Sequence, residues 1–173
     1  MLYPGRSRVP DAAAPDLRAR SFSIAADVLL PCTGQGVLLS HGDSNGGYSL
    51  RLSDGHLVHD YVHAGRHSVT RSRTAVPEGR WTRVEVRVQR VVEAGAVQLL
   101  VDGVSVGEGM IPALARARTG YTGVDVGCDR GLTVGDYPQP ARFTGQLKRI
   151  DIEAAEDQWL DEEAILEIEG STG

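Results

Sequence analysis

Twice in 173 residues an Asp-Gly pair stands between two stretches of strand-forming residues: Asp54-Gly55 between residues 48–53 and 56–62, and Asp102-Gly103 between residues 97–101 and 104–107. Both central residues of a two-residue type I′ turn need positive φ, which Asp tolerates and Gly adopts without steric cost. Each pair therefore marks a tight antiparallel hairpin. A fold of parallel strands joined by crossover helices is hard to reconcile with two such hairpins in one short chain.

The first hairpin also sets a register. With Asp54 and Gly55 at the turn centre, Ser53 faces His56, Leu52 faces Leu57, Arg51 faces Val58, Leu50 faces His59, Ser49 faces Asp60 and Tyr48 faces Tyr61. Side chains alternate across a strand, so Tyr48, Leu50, Leu52, Leu57, His59 and Tyr61 share one face, apolar enough to be the core side. Ser49, Arg51, Val58, Asp60 and Val62 share the other, which reads as wet.

The same period of two runs through residues 22–30 (Phe22, Ile24, Ala26, Val28, Leu30) and 81–89 (Val84, Val86 and Val88 between Arg83, Glu85 and Arg87). Shorter strands are expected at 36–41, 67–72, 123–127 and 143–153. With 21 Gly, 8 Pro and few aromatics, many short strands and tight turns are favoured over long helices. The fold class is all-β, a two-sheet antiparallel sandwich in a single domain. Residues 1–20 read as an irregular arm, 21–155 as the sandwich, and 156–173 as an acidic tail with a helical turn near 156–163 ahead of residues 165–168.

A net charge of -5 and no Lys/Arg run remove the electrostatic footprint that nucleic acid requires. No stretch approaches the roughly 18 apolar residues of a membrane span, and residues 1–16 lack the apolar run of a signal peptide. The expected location is cytoplasmic. Cys32 and Cys128 stand apart from any metal-ligand spacing and are expected to be free, inert thiols.

Several segments together resemble the concanavalin A-like domain of the laminin G group, and within it the C-terminal accessory domain of bacterial arylsulfatases. They are Leu2-Tyr3-Pro4-Gly5, Arg20 to Ala26, Gly46-Gly47-Tyr48-Ser49-Leu50 with Asp54-Gly55, Gly79-Arg80-Trp81-Thr82, Leu99 to Gly103, Asp125-Val126-Gly127 with Asp129 and Gly131, and Phe143-Thr144-Gly145. The resemblance implies a jelly roll of two curved sheets, with ligands held at the concave face or the rim loops. It implies no sulfatase chemistry, which belongs to a separate, larger domain of those enzymes. Against the family habit, the strand after Asp54-Gly55 carries His56, His59, Asp60 and His63.

The expected working surface is the face of Ser49, Arg51, Val58 and Asp60, with His63 and Trp81 near its margin. Asp60 reads either as a general base or as the partner of Arg51 in a cross-strand ion pair. His59, on the core side, reads as a neutral histidine with one hydrogen-bond partner. His41 and His63 flank loops that can share a rim. Asp125, Asp129 and Asp136 offer oxygen ligands of the kind calcium takes, but in no specific loop, and Asp129-Arg130-Gly131 reads equally as a turn. Trp81 is either a stacking platform for a ring or a cap on the core.

No phosphate loop, G-x-S-x-G or helical His pair occurs, so no cofactor and no transition metal are expected. Two functions stay open. One is a lectin-like module holding a small or carbohydrate-like ligand, or a partner protein, at the concave face. The other is a cofactor-independent enzyme of the cyclase or isomerase type in the same cavity, with Asp60 and His63 as its catalytic groups.

Overall fold

Alternation builds the framework. The computed structural model describes residues 1–4, 8–117, 123–138 and 141–160. Within them ten strands form: β1 (Phe22–Leu29), β2 (Gly36–Gly42), β3 (Gly46–Ser53), β4 (His56–His63), β5 (Arg66–Ala75), β6 (Trp81–Val91), β7 (Ala94–Val101), β8 (Val104–Ile111), β9 (Val124–Val126) and β10 (Gln146–Ala154). The one helical element among the described residues is a 3-10 turn at Asp11–Ala13. Sheet I runs in the order β10-β1-β6-β7-β8 and sheet II in the order β5-β4-β3-β2-β9, with every strand pairing antiparallel. The all-β, two-sheet jelly-roll sandwich expected from the sequence is the architecture found.

The core lies between the sheets and takes one face of each. Ile24, Ala26 and Val28 from β1 and Val84, Val86 and Val88 from β6 meet Leu50, Leu52, Leu57 and Tyr61 from β3 and β4. Each large aliphatic side chain so enclosed contributes roughly 1.5–3 kcal/mol over its exposed state. The β3–β4 register is the one dictated by the Asp54-Gly55 turn, residue for residue from Ser53↔His56 to Tyr48↔Tyr61. Both Asp-Gly turns have the left-handed backbone that motivated them, with φ of 49° and 77° at Asp54 and Gly55, and 48° and 80° at Asp102 and Gly103.

Two further tight turns carry weaker sequence signals. Ala64 and Gly65 join β4 to β5 with φ of 51° and 74°. Val92, at the tip of the β6–β7 hairpin, has φ 58° although it is β-branched, a conformation that crowds its Cβ against the backbone. Val92 is exposed and packs on nothing that would offset the strain. Val92→Gly should therefore raise stability by about 0.5–1 kcal/mol despite the added entropy of the unfolded chain. A urea titration that shows Val92→Gly no more stable than wild type would count against this strain.

The arm of residues 1–20 is irregular yet fastened to both sheets. Leu2 bridges Ile150 on β10, Val9 bridges Val124 on β9, and Ala14, Leu17 and Ala19 are buried. The tail begins the same way: Asp157 accepts hydrogen bonds from the N–H and hydroxyl of Ser21. Residues 156–160 form no helical turn. The remainder of the expected turn, and residues 165–168, lie outside the described residues.

Candidate functional site

Each sheet turns one face away from the core, and the two faces differ. On sheet II the strand registers line up Asp125, Ser40, Ser49, Asp60 and Val69 as one rung across β9, β2, β3, β4 and β5. Parity correctly places Ser49 and Asp60 away from the core, but the expected wet face is covered. Ser49 is 0% exposed and Val58 and Asp60 are 2% exposed each, because the segment 127–138 after β9 folds back over the rung. Gly135 lies so close that a Cβ there would sit 2.6 Å from Asp60 Oδ2. The Tyr137 hydroxyl donates to Asp129 Oδ2 at 2.6 Å, and the Arg51 guanidinium lies 5.2 Å from the Tyr137 ring centre. Burial, then the Asp129 hydrogen bond, raises the Tyr137 phenol pKa.

This closure rearranges the expected partnerships. Asp60 and Arg51 do not pair; the guanidinium stacks on Tyr137, and Asp60 Oδ1 instead meets His67 Nδ1 at 3.1 Å. Burial raises the Asp60 carboxyl pKa, with His67 and Arg51 pulling it partly back. His63 lies three residues from Asp60 on the same strand, so alternation puts it on the opposite face. The structure does not bring Asp60 and His63 together. The residue that does reach Asp60 is His67, brought beside Val62 by the Ala64-Gly65 turn, whose sequence lacks the Asp-Gly signature of the β3–β4 and β7–β8 hairpins.

Of the three acidic residues with calcium-type oxygens, Asp125 and Asp129 are engaged by other groups, and Asp136 is exposed. Asp125 accepts from Arg8 at 2.7 Å, from the Arg130 side chain at 3.1 Å and from the Arg130 N–H at 2.8 Å. Burial raises its carboxyl, but those hydrogen bonds outweigh burial and hold it below the usual range. Asp129 accepts from Tyr137 and from the Val134 N–H. Among the described residues no three acidic, His or Cys side chains converge as a metal site would require. Cys32 is exposed and Cys128 buried, both as free thiols.

The outward face of sheet I is open. Trp81 stands there, 48% exposed, with Lys148 Nζ 6.0 Å from its ring. It does not border the Asp60 face as expected, because β6 and β4 belong to different sheets and the two faces point away from each other across the sandwich. Beyond Trp81 comes a lattice of ion pairs: Arg83 meets Asp27 at 3.0 Å and Asp151 at 3.2 Å, and Arg149 meets Asp151 at 3.2 Å. Beyond the lattice, Glu153, Ser23, Arg87, Gln98 and Glu108 form a second rung across all five strands. A groove of about 1120 Å³ runs over this rung, with Gln89 and Met110 also in its wall. Glu85 holds Arg87 through two hydrogen bonds of 2.7 and 3.2 Å. The side chains of Ser23, Gln98, Glu108 and Glu153 make no hydrogen bond or ion pair within the described residues.

One more polar cluster lies at the end of the sandwich. His41 Nε2 meets Asp11 Oδ1 at 2.7 Å and Nδ1 meets the Tyr48 hydroxyl at 3.1 Å, beside a small cavity of about 70 Å³ lined by Leu17, Tyr61 and Ala115 among others. His63 sits at the same end of sheet II but two strands away from His41, so the two do not form a shared site. His59 is wholly buried in the core, as expected, yet neither ring nitrogen has a hydrogen-bond partner. That corrects the expectation of a satisfied core histidine.

The family model of the laminin G domain matches residues 31–155. The chain belongs to the laminin G domain family. Among solved structures this laminin G domain is similar to domains LG4-5 of the mouse laminin alpha1 chain, at 14% identity and a TM-score of 0.57, over 92% of this chain and 43% of that one. It is similar to the CBM40 of the Ruminococcus gnavus IT-sialidase, at 17% identity and a TM-score of 0.58, over 82% and 79%. The receptor binding domain of botulinum neurotoxin type G resembles it at 11% identity and a TM-score of 0.51, over 88% and 38%. At such identities the likeness is one of fold, and the chain spans less than half of the laminin and neurotoxin chains. No curated protein sequence matches it.

Proposed function

We propose that this laminin G domain is a lectin-like module that holds a carbohydrate-like ligand along the polar rung of sheet I. The observation that carries the reading is the contrast between the two outward faces. Sheet II buries four positions of its rung, Asp125, Ser40, Ser49 and Asp60, beneath its own chain and exposes only the apolar Val69 at the β5 edge, whereas sheet I leaves Glu153, Ser23, Arg87, Gln98 and Glu108 open beneath a groove that crosses every strand. Sugar hydroxyls both donate and accept, and the rung offers them unused partners of both kinds: Gln98 and Ser23 donate and accept, and the Glu108 carboxylate accepts. Trp81, an exposed ring on the same face, lies six residues along β6 from Arg87 and outside the groove wall. The fold-level likeness to a module of a sialidase supports the same reading by analogy.

The enzyme reading lacks its pair, since Asp60 and His63 point to opposite faces and Asp60 is enclosed. Descent from an arylsulfatase-type accessory domain and a cytoplasmic setting belong to the same proposal. Two unpaired cysteines, one of them exposed, support the latter.

The test is a glycan panel followed by titration calorimetry. Gln98→Ala with Glu108→Ala should weaken binding at least about tenfold, or about 1.4 kcal/mol, while thermal stability stays near wild type. Ser49→Ala, beneath the cover of sheet II, should leave affinity within about twofold. A variant of Ser49 or Asp60 that abolishes binding while the rung variants do not would move the site to sheet II.

A further inference from the structure

We propose that the sheet I groove selects uncharged glycans and discriminates against sugars bearing carboxylate or sulfate; this rests on the reading of the groove as a glycan site. The inference comes from the state of each charged group on that face. The groove wall contains three carboxylates, Glu85, Glu108 and Glu153, and one guanidinium, Arg87. Glu85 already grips that guanidinium in a two-point hydrogen bond. The neighbouring guanidiniums are no freer, because Arg83 lies between Asp27 and Asp151, and Arg149 lies against the same two carboxylates. Lys148 is close to Trp81, which is six residues along β6 from Arg87, or roughly 20 Å at about 3.3 Å per residue.

An anionic sugar entering the groove thus finds no unengaged cation to replace its hydration and two unengaged carboxylates, Glu108 and Glu153, to repel it. A compact cation is not favoured either. Glu108 and Glu153 lie on β8 and β10, the two edge strands of sheet I, four strand spacings or roughly 19 Å apart, so one charge cannot be held by both. Between them, on either side of the Arg87 that Glu85 holds, stand Ser23 and Gln98, neutral groups that donate and accept. Hydroxyls satisfy that whole series: they donate to the carboxylates and exchange both kinds of bond with the amide and the serine.

Calorimetry on the full chain should compare neutral oligosaccharides with sialylated and sulfated forms of the same backbones, and with a Lys/Arg-rich peptide. The neutral sugars should bind at least about tenfold more tightly than their acidic forms. Their affinity should change little up to about 0.5 M salt, where the Debye length is well under 10 Å. In the Glu108→Gln, Glu153→Gln variant, checked for native circular dichroism, the ratio of neutral to acidic affinity should shrink. Equal or tighter binding of acidic sugars by the wild type overturns the inference and leaves the glycan reading in place. An unchanged ratio in a folded variant overturns the role given to these two carboxylates. If no sugar of any class binds, or only the basic peptide does with a steep salt dependence, the glycan reading falls as well.

Discussion

Between pH 7 and pH 4 the burial of His59 should by itself cost the protein about 3 kcal/mol of stability, and His59→Leu should remove that share of the acid sensitivity. His59 faces the core between Leu50 on β3 and Thr70 on β5, with no exposed surface. Burial without a hydrogen-bond partner lowers its pKa from 6.5 to about 4. In the unfolded chain the imidazole takes up a proton near pH 6.5, but in the folded state it does not until about pH 4. Over that window the unfolded state binds the extra proton, so stability falls as pH falls, by about 1.4 kcal/mol for each pH unit between the two pKa values. Asp60 acts in the opposite sense, because its raised pKa lets the folded state gain a proton first as the solution is acidified. The difference between wild type and variant isolates His59 from that term. At neutral pH, His59→Leu should also add about 1 kcal/mol, since it removes two unsatisfied nitrogens from the core. Urea denaturation at several pH values tests both points; parallel pH profiles for the two proteins would show that His59 does not carry the acid sensitivity.

What the sequence reveals is local, and what it hides depends on pairings between distant segments. Asp54-Gly55 dictates the register of eight residue pairs, because the turn geometry allows only one alignment and the alternation agrees with it. It also settles that Ser49 and Asp60 face away from the core. It cannot say which strand from elsewhere in the chain lies alongside, so Trp81 was expected near Asp60 when β6 belongs to the other sheet. Nor does alternation separate an open face from one that the chain itself covers. A signal was available: Val58 and Val62 are apolar positions on the supposed wet side of β4, and both are buried. The rung of sheet I was beyond reach for the same reason, since Glu153, Ser23, Arg87, Gln98 and Glu108 come from five strands whose order is not that of the sequence. Each is an unremarkable polar residue on its own strand. Only the lateral registry makes them one surface.

The cover on sheet II depends on one glycine at its root, and Gly36→Ala should cost more than about 4 kcal/mol or abolish folding, whereas Gly79→Ala should cost only about 1 kcal/mol. Both glycines have positive φ, 98° at Gly36 and 73° at Gly79, so each substitution carries the penalty of a left-handed backbone. They differ in surroundings. A Cβ at Gly79 meets nothing within 4 Å, but one at Gly36 would lie 2.1 Å from the Arg142 carbonyl oxygen and 2.7 Å from the Phe143 Cα. These are backbone atoms and cannot swing aside as a side chain does. The same stretch is tied down by the Val37 N–H donating to the Ala141 carbonyl, the Phe143 N–H to the Gly127 carbonyl and the Thr144 N–H to the Gln35 carbonyl. Relief of the clash therefore means giving up bonds that hold residues 141–144 to Val37 on β2, to Gln35 just before it and to Gly127 at the start of the covering segment. Thermal and urea denaturation of the two variants, side by side, separates backbone strain from collision. Equal losses at the two positions would mean that the approach of residues 142–143 to β2 is loose, and that the cover over Asp60 can lift without unfolding the sandwich.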